Sequence, residues 1–189
     1  MKELKDLNWK VLSSSYLIKD TWATIRVESC QTPDGRVVEP YYVYEFPNWV
    51  TAVAFTKDGK VILERQYRHA LGKTMYEIPG GCVDESDANL EAAIARELLE
   101  ETGYKFEKFD YLGSTSANPS TNTNMMHIFI AYDGESVAEQ KLDAGEDLEV
   151  LFVTMEEFLE LFRQGEFIQS MHTVAIYRAL EKLGKLTIS

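Results

Sequence analysis

The segment Leu90-Glu-Ala-Ala-Ile-Ala-Arg-Glu-Leu-Leu-Glu-Glu-Thr-Gly103 constrains the fold of this chain more than any other stretch. Taking Leu90 as zero and about 100° per residue, Ile94 falls near ~40°, Leu98 near ~80° and Ala93 near ~300°. These residues make a stripe that must face a core. On the same wheel Glu101 falls near ~20°, Glu97 near ~340° and Glu100 near ~280°, so three carboxylates lie along the apolar stripe. Glu100 and Glu101 also occupy the last turn, where the helix dipole disfavours negative charge by a few tenths to about 1 kcal/mol each. Glu97 and Glu101 are a like-charge i,i+4 pair. A divalent cation would offset all three penalties. Hard oxygen ligands favour Mg²⁺, with Mn²⁺ as the alternative, over zinc. A solvated run of good helix formers would give similar letters. What argues against it is Pro79-Gly80-Gly81 just upstream, since glycines let backbone groups approach an ion or a phosphate closely.

The rest of the chain reads mostly as strands. Residues 8–29 hold two β-rich stretches, and Pro33-Asp34-Gly35 signals a turn before a strand over Val37–Phe46. Thr51–Thr56 and Lys60–Tyr67 flank Lys57-Asp58-Gly59 as a hairpin, and Thr74–Ile78 is a short strand ending at the glycines. A helix is predicted from about Asp87 to Thr102, stopped by Gly103. Strands follow near Phe106–Ser114, Met126–Tyr132 and Leu148–Thr154. Thr154-Met-Glu-Glu157 is a capping-box pattern opening a short helix, and a last helix spans about Ser170 to Leu183. Strands with one central and two C-terminal helices predict an α+β chain, an α/β/α sandwich around a mixed sheet. Residues 1–45 are expected to form an N-terminal β extension, and residues 46–189 the main domain.

Charge narrows the function. With 19 Lys and Arg against 31 Asp and Glu, the net charge is −12. Such a surface repels nucleic acid, so no nucleic-acid partner is expected. Phosphate chemistry here requires a metal. No apolar run approaches the roughly 20 residues that span a bilayer, and Met1-Lys-Glu-Leu-Lys-Asp has no apolar leader segment. Cys30 and Cys82 are too few and too far apart for a disulfide framework. A cytoplasmic protein without a membrane partner is expected.

The helix and its upstream loop together resemble the Nudix hydrolase family, whose box reads G-x5-E-x7-R-E-U-x-E-E-x-G-U, U being apolar. Arg96-Glu97-Leu98-Leu99-Glu100-Glu101-Thr102-Gly103-Tyr104 matches the second half in full. The first half departs. Counted from Gly81, the box glutamate falls on Asp87, and eight residues rather than seven separate it from Arg96. Because that glutamate mainly braces the loop against the helix, the departure bears on loop geometry. Arg65-Gln-Tyr-Arg68, Tyr76-Glu-Ile-Pro-Gly-Gly81 and Ala144-Gly-Glu-Asp-Leu-Glu-Val150 are similar to the ADP-ribose and ADP-sugar pyrophosphatase branch. Pro119-Ser-Thr-Asn-Thr-Asn124 lacks the acidic residue found in several of its members.

The resemblance implies a set of roles. Glu97 and Glu101 are the main metal ligands, with the Gly80 carbonyl a further one, and Glu100 serves a second metal or its waters. Arg96 orients these carboxylates; otherwise it is an ordinary helix ion pair. Glu146 is the candidate general base, with Asp147 and Glu149 as competitors, although Gly145-Glu-Asp also reads as a simple turn. Arg68 is the candidate phosphate clamp and Arg65 the second choice. Trp49 either stacks on a nucleobase or belongs to the core. His69, His127 and His172 have no ligand-like spacing.

The activity implied is Mg²⁺-dependent hydrolysis of the diphosphate bond in a nucleoside diphosphate derivative, with an ADP-sugar such as ADP-ribose as first choice. Two monophosphates would result. Other nucleotide sugars, dinucleoside polyphosphates and a triphosphate remain open, as does a non-catalytic Nudix sensor that only binds nucleotide sugars. Members of this branch often form an intertwined homodimer through the N-terminal extension.

Overall fold

Apolar alternation assigns each strand two faces, and in the computed structural model, which describes residues 4–21, 23–143 and 145–186, it sorts the core into two layers. The first three strands are β1 (Lys10–Lys19), β2 (Thr24–Gln31) and β3 (Val37–Glu45), an antiparallel sheet in that order. They belong to a unit of Met1–Phe46 with Asn118–Asn124. That last segment counted as part of the main domain by sequence. Its attachment is by hydrogen bonds to the end of β3: Tyr44 N–H donates to Thr121 at 2.7 Å, and Thr123 N–H to Tyr44 at 3.1 Å.

The second unit, Pro47–Ala117 with Met125–Ser189, carries the larger sheet. Its strands are β4 (Trp49–Thr56), β5 (Val61–Arg68), β6 (Lys73–Glu77), β7 (Tyr104–Lys105), β8 (Lys108–Thr115), β9 (Met126–Ser136) and β10 (Leu148–Val153). The order is β10-β5-β4-β9-β7, with β6 also paired to β5 and β8 to β9. Only β4 and β9 among these pairs run parallel, so the sheet is mixed. Among the described residues three helices cover it: α1 (Leu90–Thr102), α2 (Met155–Arg163) and α3 (Ser170–Lys182).

Each face has its own core. Val50, Ala52, Ala54, Ile62, Phe129 and Ala131 pack against Ala93, Ile94 and Leu98 of α1. On the other face Val53, Val61, Leu63, Ile128 and Ile130 meet Phe158 of α2 and Ala175, Ile176, Ala179 and Leu180 of α3. The expected α/β/α sandwich is therefore formed. Alanines on both surfaces bring α1 close to the sheet, which presses its last turn against β4 and the glycine loop.

Local chemistry explains the boundaries. The β4–β5 turn closes with Thr56 Oγ1 donating to Asp58 at 2.6 Å and with Gly59 at φ 82°. α2 begins at the capping box of Thr154 and Glu157. α1 begins at Leu90 rather than near Asp87, because Asn89 caps it by accepting the Ala92 N–H at 2.8 Å. It ends at Gly103, in the left-handed region at φ 72°. The two-residue β7 was not expected from sequence; it is too short for any period to register.

Candidate active site

The site is built where the last two turns of α1 meet the Pro79–Gly81 loop. Pro79 and Gly81 present their carbonyls to the Ala52 and Val50 amides of β4, at 3.1 and 2.9 Å. Gly80 turns the other way, and its N–H donates to Glu101 Oε2 at 2.8 Å. A side chain at Gly80 (φ 146°) would strike the Val50 carbonyl at 2.2 Å, and one at Gly81 would meet the Glu97 carboxylate at 2.6 Å. Glycine at both places is therefore a condition for the carboxylates to sit where they do.

Glu97 and Glu101 are 8% and 5% exposed. Burial pushes Glu97 up to about 7, against the pull of Arg96. Burial and the neighbouring Glu64 carboxylate hold Glu101 well above the ordinary range. Arg96 is the hub on the outer side. It binds Glu97 and Glu100, each at 3.0 Å, and donates to the Cys82 carbonyl at 2.9 Å. It also grips Asp87 through Nε at 3.0 Å and Nη2 at 2.9 Å. That bidentate pair braces the loop on the helix, so the shorter acid and the extra residue in the box are accommodated together. The hydrogen bonds from Arg96 hold Asp87 below its usual value.

The other candidate residues divide. Glu146 lies in the loop before β10, where its carboxylate accepts the Asp143 N–H at 3.0 Å. Its charge is among those that raise Glu64, Glu97 and Glu101, which places it beside the cluster. Arg68 lies beside the cluster too, but its Nε and Nη2 grip buried Glu77 at 2.8 and 2.5 Å. Arg65 is not brought in. It alternates to the opposite face of β5, pairs with Glu149 at 3.0 Å and lies over the Tyr76 ring. Trp49 packs against the core on the α2 and α3 side. His127 is held by the Tyr111 hydroxyl at 3.0 Å through Nδ1.

Three buried polar residues have no role in the sequence reading, His172 among them because its spacing is not ligand-like. Glu64 is 3% exposed, and burial followed by the Glu77 charge pushes it up to about 8. Glu77 is 2% exposed. His172 is pushed down to about 4 by burial. A signal for the burial of Glu64 did exist: it follows Ile62 by two in a strand that opens with the buried run Val61, Ile62 and Leu63, an inward phase for an acid.

As the side chains stand, no three His, Cys, Asp or Glu residues among those described are gathered in a way that could hold a metal ion. Glu97 is turned to Arg96 and Glu101 to the Gly80 N–H. The donor chemistry nonetheless suits a hard divalent cation: buried carboxylate oxygens, and Glu64 Oε1 with no hydrogen-bond partner.

The family model described as NUDIX domain matches residues 46–171. The chain belongs to the Nudix family. A second model, described as nucleoside diphosphate sugar hydrolase N-terminal domain, matches residues 9–44. The ADP-ribose pyrophosphatase of Bacillus subtilis (strain 168) is 31% identical over 92% of this Nudix chain and 93% of its own length. The GDP-mannose pyrophosphatase of Escherichia coli (strain K12) is 31% identical over 78% of this chain and 81% of its own. A crystal structure of ADP compounds hydrolase superposes with a TM-score of 0.82 at 20% identity, over 97% of this chain and all of that one. The α+β sandwich is thus a Nudix fold.

Proposed function

We propose that this Nudix protein is a Mg²⁺-dependent pyrophosphohydrolase that cleaves the diphosphate bond of a nucleoside diphosphate sugar, with ADP-ribose the preferred substrate. The observation that carries the reading is the burial of Glu97 and Glu101 against the Gly80–Gly81 loop. The names of the relatives at 31% identity give the substrate class.

Glu97 and Glu101 would hold the cation together with the Gly80 carbonyl, and Glu100 would face a second cation or its waters. Mn²⁺ would serve in place of Mg²⁺. When bound, such an ion supplies Lewis acidity and neutralises the diphosphate charge. Arg96 fixes Glu97 and Glu100 in orientation while Asp87 fixes Arg96. Glu146, on its separate loop, accepts the proton of the attacking water. Arg68, held rigid by Glu77, offers its remaining N–H groups to a phosphate oxygen.

The N-terminal unit forms a homodimer in this reading, supported by β1, which is exposed along its whole length and displays Val11, Tyr16, Leu17 and Ile18. A cytoplasmic location rests on the two free thiols, Cys30 and Cys82. The net charge of −12 argues against a nucleic-acid partner. A second nucleotide sugar, GDP-mannose, is favoured over dinucleoside polyphosphates by the second relative's name.

The test is a panel of ADP-ribose, GDP-mannose, a dinucleoside polyphosphate and a triphosphate with Mg²⁺, products identified by mass. ADP-ribose should give AMP and ribose 5-phosphate, and Glu101→Gln should abolish the reaction. Product release that survives this substitution would sink the mechanism. Tight binding of ADP-ribose with no turnover of any compound would identify a sensor instead.

A further inference from the structure

One buried acid beside the site has none of the roles above. Along β5, Val61 and Leu63 face α2 and α3 while Ile62 faces α1, so the period of two turns Glu64 toward α1. Its Cα stands between Val150 of β10 and Glu77 of β6 in the sheet register. This is an interior place, and Glu64 is 3% exposed there. Its carboxyl reaches that of Glu101. Neighbouring Arg68 is committed bidentately to Glu77, and Glu64 Oε1 has no hydrogen-bond partner. A buried acceptor without a donor is destabilising, and a second carboxylate beside Glu101 adds repulsion. Neither is explained by packing, since the flanking residues Ile62 and Leu63 show that this stretch of β5 otherwise takes aliphatic side chains.

We propose that Glu64 is a further carboxylate of the cation site, presented from β5 across from Glu97 and Glu101 of α1, and that it strengthens divalent-cation binding. The proposal rests on the reading of Glu97 and Glu101 as cation ligands. It makes the site a joint product of sheet and helix: α1 supplies two acids, the glycine loop supplies the close approach, and β5 closes the inner side. A Glu64 that merely shared a proton with Glu101 would hold that proton against the cation, so its removal would leave Mn²⁺ affinity unchanged or raise it.

The experiment uses the full chain with Mn²⁺ alone, so that catalysis does not enter. Mn²⁺ affinity is measured by isothermal titration, and in parallel by the rise in unfolding temperature when Mn²⁺ replaces EDTA. Glu64→Gln should weaken Mn²⁺ binding by about 10- to 100-fold and shrink that rise. Affinity equal to the parent's overturns the proposal. Glu101→Gln is titrated alongside: if it too binds Mn²⁺ as the parent does, the cation-site reading itself has failed. If Glu101→Gln loses Mn²⁺ while Glu64→Gln keeps it, the failure is confined to Glu64. Should Glu64→Gln not fold, Glu64→Leu takes its place, with the same loss expected and the same unchanged affinity counting against it.

Discussion

α1 and α3 are helices of 13 residues each, laid on opposite faces of one sheet, and they end differently. α3 buries Met171, His172, Ala175, Ile176, Ala179 and Leu180 and closes with Lys182, a cation at the negative end of the dipole. α1 buries Ala93, Ile94 and Leu98, but with them Glu97 and Glu101 in its second half, and it has no basic residue in its last turn. The same architecture therefore holds one helix placed for packing and one whose second half works against stability. The difference teaches where to look for chemistry: in a layered fold, the helix that violates the dipole rule on its buried face is the one that carries the site.

The largest effect should come from the violating end. Glu101→Gln is expected to lower kcat/KM for ADP-ribose by about 10³-fold or more, several kcal/mol of barrier, while metal-free stability rises. Steady-state kinetics with Mg²⁺ and urea unfolding in EDTA measure the two. A variant that loses stability along with activity would make α1 an ordinary packing helix and erase the contrast.

The converse belongs to α3. Ile176 is fully buried in the core beneath α3, and Ile176→Ala should cost about 2–5 kcal/mol of unfolding free energy. Turnover per folded molecule should stay near that of the parent. Urea titration and kinetics at a temperature where both proteins are folded make the comparison, and a large fall in kcat would show that the α3 face reaches the site.

The two helices should also separate by pH. Glu97 and Glu64, on the α1 side, have folded values raised from 4.5 to about 7 and about 8. For an acid raised in the folded state, the stabilisation is complete below about 4.5 and is lost as pH climbs through the folded value. The loss is about 1.4 kcal/mol per pH unit for each group inside its window. His172, on α3, has the opposite sign. Burial lowers it from 6.5 to about 4, so stability there is gained as pH rises and is complete above 6.5. Between pH 6.5 and 8 only the carboxylate effect of these three remains. Urea midpoints in EDTA should therefore fall across that interval, and saturating Mn²⁺ should reverse the trend because the cation binds the ionised form. A flat profile in EDTA would mean that the acids of α1 are not desolvated.

What the sequence disclosed follows the same line between packing and chemistry. The wheel of α1 turns Glu97, Glu100 and Glu101 along the apolar stripe; Glu97 and Glu101 stand buried as 100° per residue dictates, whereas Glu100, at the far margin of the stripe, is part-exposed and paired to Arg96. The hairpin at Asp58-Gly59, the capping box at Thr154 and the stop at Gly103 were legible for the same reason. The approach of Glu64 to Glu101, the burial of Glu77 and the Arg68–Glu77 pair were not. Their partners lie on other elements, and which face of β5 meets α1 is settled only by the sheet order. The sequence Arg65-Gln-Tyr-Arg68 ranks Arg68 first and Arg65 second as phosphate clamp; being three apart in a strand, they point to opposite faces. Asn118–Asn124 was assigned by its position in the chain, and only the hydrogen bonds to Tyr44 reveal where it belongs.

The smallest effects distinguish how the two helices begin. Asn89 caps α1 through its side chain, whereas Gln169 at the start of α3 makes no side-chain cap and leaves its Oε1 buried without a hydrogen bond. Asn89→Ala should therefore cost about 1 kcal/mol. Gln169→Ser should do the reverse and stabilise by up to about 1 kcal/mol, since serine reaches the free amides of the first turn and removes the unsatisfied acceptor. Urea midpoints of the two variants should move in opposite directions. If Gln169→Ser destabilises, the α3 terminus is already satisfied by contacts that a cap would disturb. The contrast between the helices would then be confined to their C-terminal halves, where the acids of α1 stand.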